Sequence, residues 1–390
     1  MNKLLNRLWC ANILCCTGIA ISTIYEMTNI ASLLFYVSFL VTAASLYLCL
    51  NGRVSLYVRN TVLVLIFIML LALISVLQGG MSFAYLKKFI IYMTTLSSYF
   101  IALKFRPTTG TVKLLLGSNA VVSIMYILRS QAEGAYIQDT LWLFFSNPNF
   151  AGMWLFMSTM LLVVTLFFVK KTIWRIPLVA GTAYLVYLCF QTGSRNIWFA
   201  LVYAVALCAV CLLAKTHRFK KWMLFAINLY PLLFVFCYMF LTKKGLISEG
   251  ITDMLVSEGK PITSRYIIWK EAFSYIGKRP LFGAYSLVGG GSGSFQLHNT
   301  HIDTWAAYGT VGLILFLVYI YRIMKEANDS CNTKAAMFAL AGFMCMTLMG
   351  SAEASLYSTG MGMYIYVSSF LLLANYWNQQ QQHEGHISVN

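Results

Sequence analysis

The chain has 390 residues, 59% of them hydrophobic and only 10% charged, with a mean hydropathy of +0.72. A soluble domain carries roughly 25% charged residues, so this composition excludes a water-soluble globular protein and points to one solvated by lipid. The balance is nonetheless basic, 28 Lys and Arg against 12 Asp and Glu for a net +16, and the position of those charges decides what the excess means.

A helix crossing a bilayer needs about 20 mostly apolar residues. Twelve apolar runs approach that length, at about 8–25, 30–50, 61–78, 88–104, 112–130, 149–169, 173–190, 196–214, 222–242, 302–321, 335–351 and 355–376. The first follows Lys3 and Arg7 in the manner of a signal peptide. It lacks a small-residue cleavage site and leads directly into the next run, so it is read as a membrane anchor. The expected fold is an all-α, polytopic integral membrane protein of about 12 transmembrane helices, one membrane domain over 1–390.

Alternate connectors, counted from the N-terminus, hold 17 basic residues against the acids Glu326, Asp329 and Glu384. The other set holds 11 basic and 9 acidic residues. The positive-inside rule makes the first set, with both termini, cytoplasmic. Most of the basicity therefore reports orientation, and nucleic acid is not expected as a partner. Nine of the ten cysteines lie inside apolar runs, with Cys331 in a polar connector, and read as packing residues. None falls in 243–300, so no disulfide staples that stretch, and no zinc-type spacing of cysteine and histidine occurs.

On the outer side, Lys87 and Lys88 precede the fourth run, and Arg195 sits in the tight turn Thr192-Gly193-Ser194-Arg195-Asn196 before the eighth. Such cations either snorkel to headgroups or converge on an anion. The long connector 243–300, between the ninth and tenth runs, is the large external loop. Within it Ile267, Ile268, Ala272, Phe273 and Ile276 recur at helical spacing, with Thr263 or Ser264 as cap and Gly277 as stop. This predicts an amphipathic helix lying on the membrane surface or over a cavity, with Arg265 in its first turn and Trp269 at the interface. Arg195 and Arg265 would suit a pyrophosphate, whose oxygens match guanidinium forks.

After Pro280 comes a glycine-rich run with Gly289, Gly290, Gly291 and Gly293, a lid or linker, since the Gly-Lys-Ser/Thr of a nucleotide P-loop is absent. The densest polar cluster, Gln296 to Trp305, follows and contains His298, Asn299, His301 and Asp303. His298 and His301 are three apart and share a face if helical, while Asp303 points elsewhere. A histidine here is a candidate general base; structural hydrogen bonding and a weak metal site are the other readings.

His298-Asn299, a nine-residue spacer and Gly309-Thr310-Val311-Gly312 resemble the histidine motif of the O-antigen ligase and polymerase family. The turn Thr192-Gly193-Ser194-Arg195 with Trp198 is similar to that family's arginine turn. Ser264-Arg265, Trp269 and Pro280-Leu281-Phe282-Gly283 resemble the start of its large periplasmic loop, and the likeness runs from Asn147-Pro148-Asn149 to about residue 325. The resemblance implies a metal-independent glycosyltransferase of the bacterial cytoplasmic membrane, without cofactors. It would move an undecaprenyl-pyrophosphate-linked glycan whole to an acceptor hydroxyl at the outer face. By motif, Arg195 and Arg265 would bind the pyrophosphate and His298 would act on the attacking hydroxyl. Lys87, Lys88, Asn299, His301 and Asp303 are further candidates for substrate binding. The expected partners are the lipid-linked oligosaccharide, an acceptor glycan, the bilayer, and the chain-length regulator and flippase of the same pathway. A polymerase of O-antigen, capsule or other surface polysaccharide is the favoured reading, with a ligase to lipid A core or another acceptor as the alternative. A lipid-linked glycan transporter is the rival from another class, against which stand the unlike halves and the scarcity of charge within the spans.

Overall fold

The computed structural model describes residues 1–51, 56–78, 83–143, 145, 147–244, 263–283, 297–352 and 363–387. The chain runs through α1 (Asn2–Ile24), α2 (Thr28–Leu50), α3 (Leu56–Gln78), α4 (Phe83–Lys104) and α5 (Thr109–Ser130). A small hairpin follows, β1 (Tyr136–Ile137) paired antiparallel with β2 (Thr140–Leu141). Then come α6 (Pro148–Phe168), α7 (Thr172–Gln191), α8 (Arg195–Leu213) and α9 (Lys221–Lys243). The last four are α10 (Thr263–Lys278), α11 (Thr300–Ser330), α12 (Lys334–Met349) and α13 (Met363–Ile387).

The protein is an all-α, polytopic membrane protein. Eight helices, α1, α2, α5 to α9 and α11, are long and apolar enough to cross a bilayer. In α3, α4 and α12 the apolar stretches are shorter: Thr61–Ile74, Phe89–Lys104 and Lys334–Met349. Large apolar side chains stand outward on α7 and α8, among them Ile173, Trp174, Ile176, Val205 and Leu213. A patch of that size is stable only against lipid. By contrast α6, α12 and α13 are apolar around most of their circumference and sit inside the bundle, as expected for helices buried on every side. Helix ends follow local chemistry: Thr108, Asn147 and Thr333 each accept a backbone N–H from the first turn of α5, α6 and α12, and Pro148 opens α6.

Among the described residues, connectors gather at two ends of the bundle. At one end the α4–α5 connector is held by Asn2 and Asn6, whose amides donate to the Arg106 carbonyl. There Lys104 pairs with Glu326, Phe219 exchanges hydrogen bonds with Asn328, and Lys334 donates to the Ala214 carbonyl. At the other end meet the α7–α8 turn, the hairpin, the start of α11 and the end of α12. The amphipathic helix expected after 262 is present as α10. Part of its apolar face packs on the protein: Trp269, Ala272 and Ile276 pack with Val235 of α9 and Ile302 and Ala306 of α11. Trp269, expected at the interface, is 0% exposed, because its ring fills the space between α9 and the approach to α11. Most of the 243–300 loop, including the glycine-rich run and Gln296, lies outside the described residues.

Candidate functional site

The site is built around the start of α11. Asn299 has extended backbone and caps the helix, its Oδ1 accepting from the amides of His301 and Ile302 at 3.0 and 2.9 Å. Its Nδ2 donates to the carbonyls of Pro231 and Ser351 at 2.8 and 2.9 Å. One fully buried amide thus ties α11 to the middle of α9 and the end of α12. Thr300 adds a second tie, its N–H donating to the Gly350 carbonyl at 2.9 Å. The sequence reading made Asn299 a substrate contact; in the structure both ends of its amide are engaged within the protein.

His301 is also fully buried. Its Nε2 lies 2.8 Å from the Asn228 carbonyl. A carbonyl only accepts, so Nε2 carries the proton, and Nδ1 of the neutral ring is a buried atom with no hydrogen-bond partner among the described residues. Asn228 reaches on to the Leu317 carbonyl. His298 differs: it is half-buried and its φ of +49° is left-handed, an uncommon conformation for a residue with a Cβ. Strained backbone of this kind persists where the surroundings over-determine it. Here Leu297 is pinned on one side, its carbonyl accepting from the Trp269 indole at 2.7 Å, and Asn299 on the other.

A break in α11 joins two of the sequence motifs. Gly309 has φ +70° and ψ −174° inside the helix. There the amides of Thr310 and Val311 turn outward to the carbonyls of Pro280 and Leu281 at 2.8 and 3.2 Å. A Cβ on Gly309 would stand 2.3 Å from the Leu281 carbonyl, and one on Gly283 2.4 Å from the Gly309 nitrogen. The Thr310 hydroxyl also donates to the Pro280 carbonyl and accepts from the Trp305 indole. Pro280-Leu281-Phe282-Gly283 therefore docks as a short strap across the break at Gly309.

Arg195 begins α8 after Gly193, whose φ is +59°. Arg265 lies in the first turn of α10, four residues before Trp269 and so on the same face. The two guanidinium groups are within electrostatic range of each other and of Tyr238 on α9. Tyr238 meets Trp269 edge to face, with ring centroids 5.3 Å apart. A continuous set thus runs from Arg195 and Arg265 through Tyr238 and Trp269 to Leu297 and His298. Beside Arg195, the buried Ser194 hydroxyl and Asn196 amide nitrogen have no hydrogen-bond partner among the described residues. Asp303 is half-buried within electrostatic range of Tyr92 on α4, whose ring lies 4.9 Å from that of Tyr308. Lys87 and Lys88 occupy the start of α4, and their side chains lie outside the described part of the structure. Among the described residues, no three His, Cys, Asp or Glu gather as metal ligands.

Residues 180–317 match the family model described as O-Antigen ligase. Among curated proteins, no match to the chain was found. The matched segment runs from α7 to the second half of α11 and contains Arg195, Arg265 and His298 together with the Gly309 break. In this segment the chain is similar to the O-antigen ligase family. The motif readings of Arg195, Arg265 and His298 came from local spelling. Asn228, Pro231 and Tyr238 escaped it because apolar spans carry no local mark of which turn faces a site.

Proposed function

We propose that the protein is a metal-independent glycan polymerase of the bacterial cytoplasmic membrane. It would act at the outer face on undecaprenyl-pyrophosphate-linked glycan, with twelve spans, both termini inside and 243–300 as the external loop. The observation that carries this reading is the placing of Arg195 and Arg265, from two separate motifs, within range of each other. Two guanidinium groups brought together cost repulsion that a dianionic pyrophosphate would relieve.

In the reaction, an acceptor hydroxyl attacks the anomeric carbon of the donor. The carbon–oxygen bond to the pyrophosphate breaks, its electron pair leaves with undecaprenyl pyrophosphate, and the hydroxyl proton passes to His298. Arg195 and Arg265 stabilise the charge that develops on the leaving group. Attack from the opposite side inverts the anomeric carbon. Asn299 and His301 act through position, holding the turn that presents His298. The leaving group supplies the driving force, so no nucleotide is required.

A ligase, which the family description names, would use the same site with lipid A core or another acceptor. Deleting the gene separates the two. Single repeat units on the usual surface anchor support the polymerase; long chains accumulating on undecaprenyl pyrophosphate refute it and favour the ligase. Purified protein that moves the lipid-linked glycan across liposomes without extending it, even with His298→Ala, would make it a transporter.

A further inference from the structure

Beyond the arginine and histidine site, the same end of the bundle carries an open groove of about 830 Å³, within the ~300–1,000 Å³ usual for ligand sites. It is lined by Ser130, Gln131, Glu133, Tyr136, Tyr184 and Tyr187, from the end of α5, the hairpin and α7. None of the motifs above reaches it.

Its chemistry is specific. Tyr184 and Tyr187 lie with ring centroids 5.7 Å apart at 46°, and Tyr136 is near enough to both to feel their hydroxyls. Tyr136 and Tyr187 remain 38% and 50% exposed, so their faces are available. The Gln131 amide nitrogen donates to the Tyr184 hydroxyl at 2.5 Å, and Glu133 stands exposed at the rim. Among the described residues no cation lines the groove; Arg129, next in sequence, sits over the Tyr25 ring instead. That lining disfavours phosphates and acidic sugars, and its hydroxyls, amide and carboxylate disfavour an acyl chain. It matches a neutral sugar, which offers an apolar C–H face to a ring and hydroxyls to amide and carboxylate oxygens.

The groove also borders the reaction site. Gln138 and Asp139 both have positive φ, 48° and 60°, as the tight turn of a two-residue hairpin requires. Across that turn, the Thr140 methyl lies 3.7 Å from where a Cβ on Gly193 would stand, two residues before Arg195. The hairpin that carries Tyr136 thus also touches the turn that presents Arg195.

We infer that this groove is a saccharide subsite, holding neutral sugar units of the glycan beyond the unit that reacts. The inference rests on the transferase reading for its reaction, though its binding is testable alone. The protein in lipid nanodiscs would be titrated with the free repeat-unit oligosaccharide released from the cell's own surface polysaccharide, read by saturation-transfer NMR. Wild type should bind; Tyr136→Ala and Tyr187→Ala should each weaken binding roughly tenfold, while Tyr136→Phe and Tyr187→Phe keep most of it. Glu133→Ala, at an exposed position, should weaken binding too and serves where the tyrosine variants do not fold. In transfer assays the alanine variants should raise KM with kcat little changed: for the acceptor if the groove holds the acceptor chain, for the lipid-linked donor if it holds the donor glycan. Alanine variants that elute and melt like wild type and bind as tightly would overturn the inference. So would variants that lose stability in nanodiscs with saccharide binding intact, which would make the tyrosines headgroup anchors. A wild type that binds oligosaccharide but transfers nothing would sink the transferase reading and leave the groove standing; one that transfers without binding would do the reverse.

Discussion

Replacing Asn299 separates two roles that one amide performs. Asn299→Ala removes an N-cap, worth about 1 kcal/mol, and leaves the buried Pro231 and Ser351 carbonyls without the donor they share. An unpaired buried polar group costs about 1–3 kcal/mol, so with two carbonyls and the cap the total is of order 3–7 kcal/mol if the site stays dry. Asn299→Asp has the same shape and remains a strong cap at the positive end of α11. It turns the donating nitrogen into a second carboxylate oxygen facing two carbonyls. If the tie to α9 and α12 matters, Asn299→Asp should be at least as damaging as Asn299→Ala. Thermal unfolding of purified protein and the length of surface polysaccharide on a gel measure both effects. An aspartate variant that melts and polymerises like wild type, beside a crippled alanine variant, would show that capping is the whole role of Asn299.

Arg195→Ala and Arg265→Ala should each lower transfer at least ~100-fold with membrane levels unchanged, and Arg195→Lys should recover only part, since an ammonium cannot bind two oxygens as a fork; near-normal activity in Arg195→Lys would mark a snorkelling anchor. Gly309→Ala places a Cβ 2.3 Å from the Leu281 carbonyl in a backbone region reserved for glycine, so it should reduce folded protein in the membrane, measured by fluorescence-detected gel filtration. The Lys104 and Glu326 side chains are only 17% and 18% exposed. Glu326→Gln or Lys104→Met alone should cost about 1–3 kcal/mol, and the double variant less than the sum; additive losses in thermal unfolding would refute the pairing.

The sequence alone determined the solvent, the helical class and the placing of charges, because hydropathy and the asymmetry of Lys and Arg act locally along each run. It also marked Arg195, Arg265 and His298, since each stands at a helix end where apolar periodicity breaks. Tertiary structure decided what those positions do together. Arg195 and Arg265 are 70 residues apart in the numbering and meet only because α10 folds onto α9 and α11. Trp269 looked interfacial because a tryptophan on an amphipathic helix suits both water and a core; packing against Tyr238 chose the core. Asn299 and His301 looked like ligands because polar residues cluster there, yet two other helices, α9 and α12, claim them. Gln138 and Asp139 carry none of the glycine that announces a tight hairpin, so the turn beside Arg195 was silent in the sequence. The net charge of +16, partitioned by connector, reads as orientation; the few cations left over acquire chemical meaning only from the side chains the fold sets beside them.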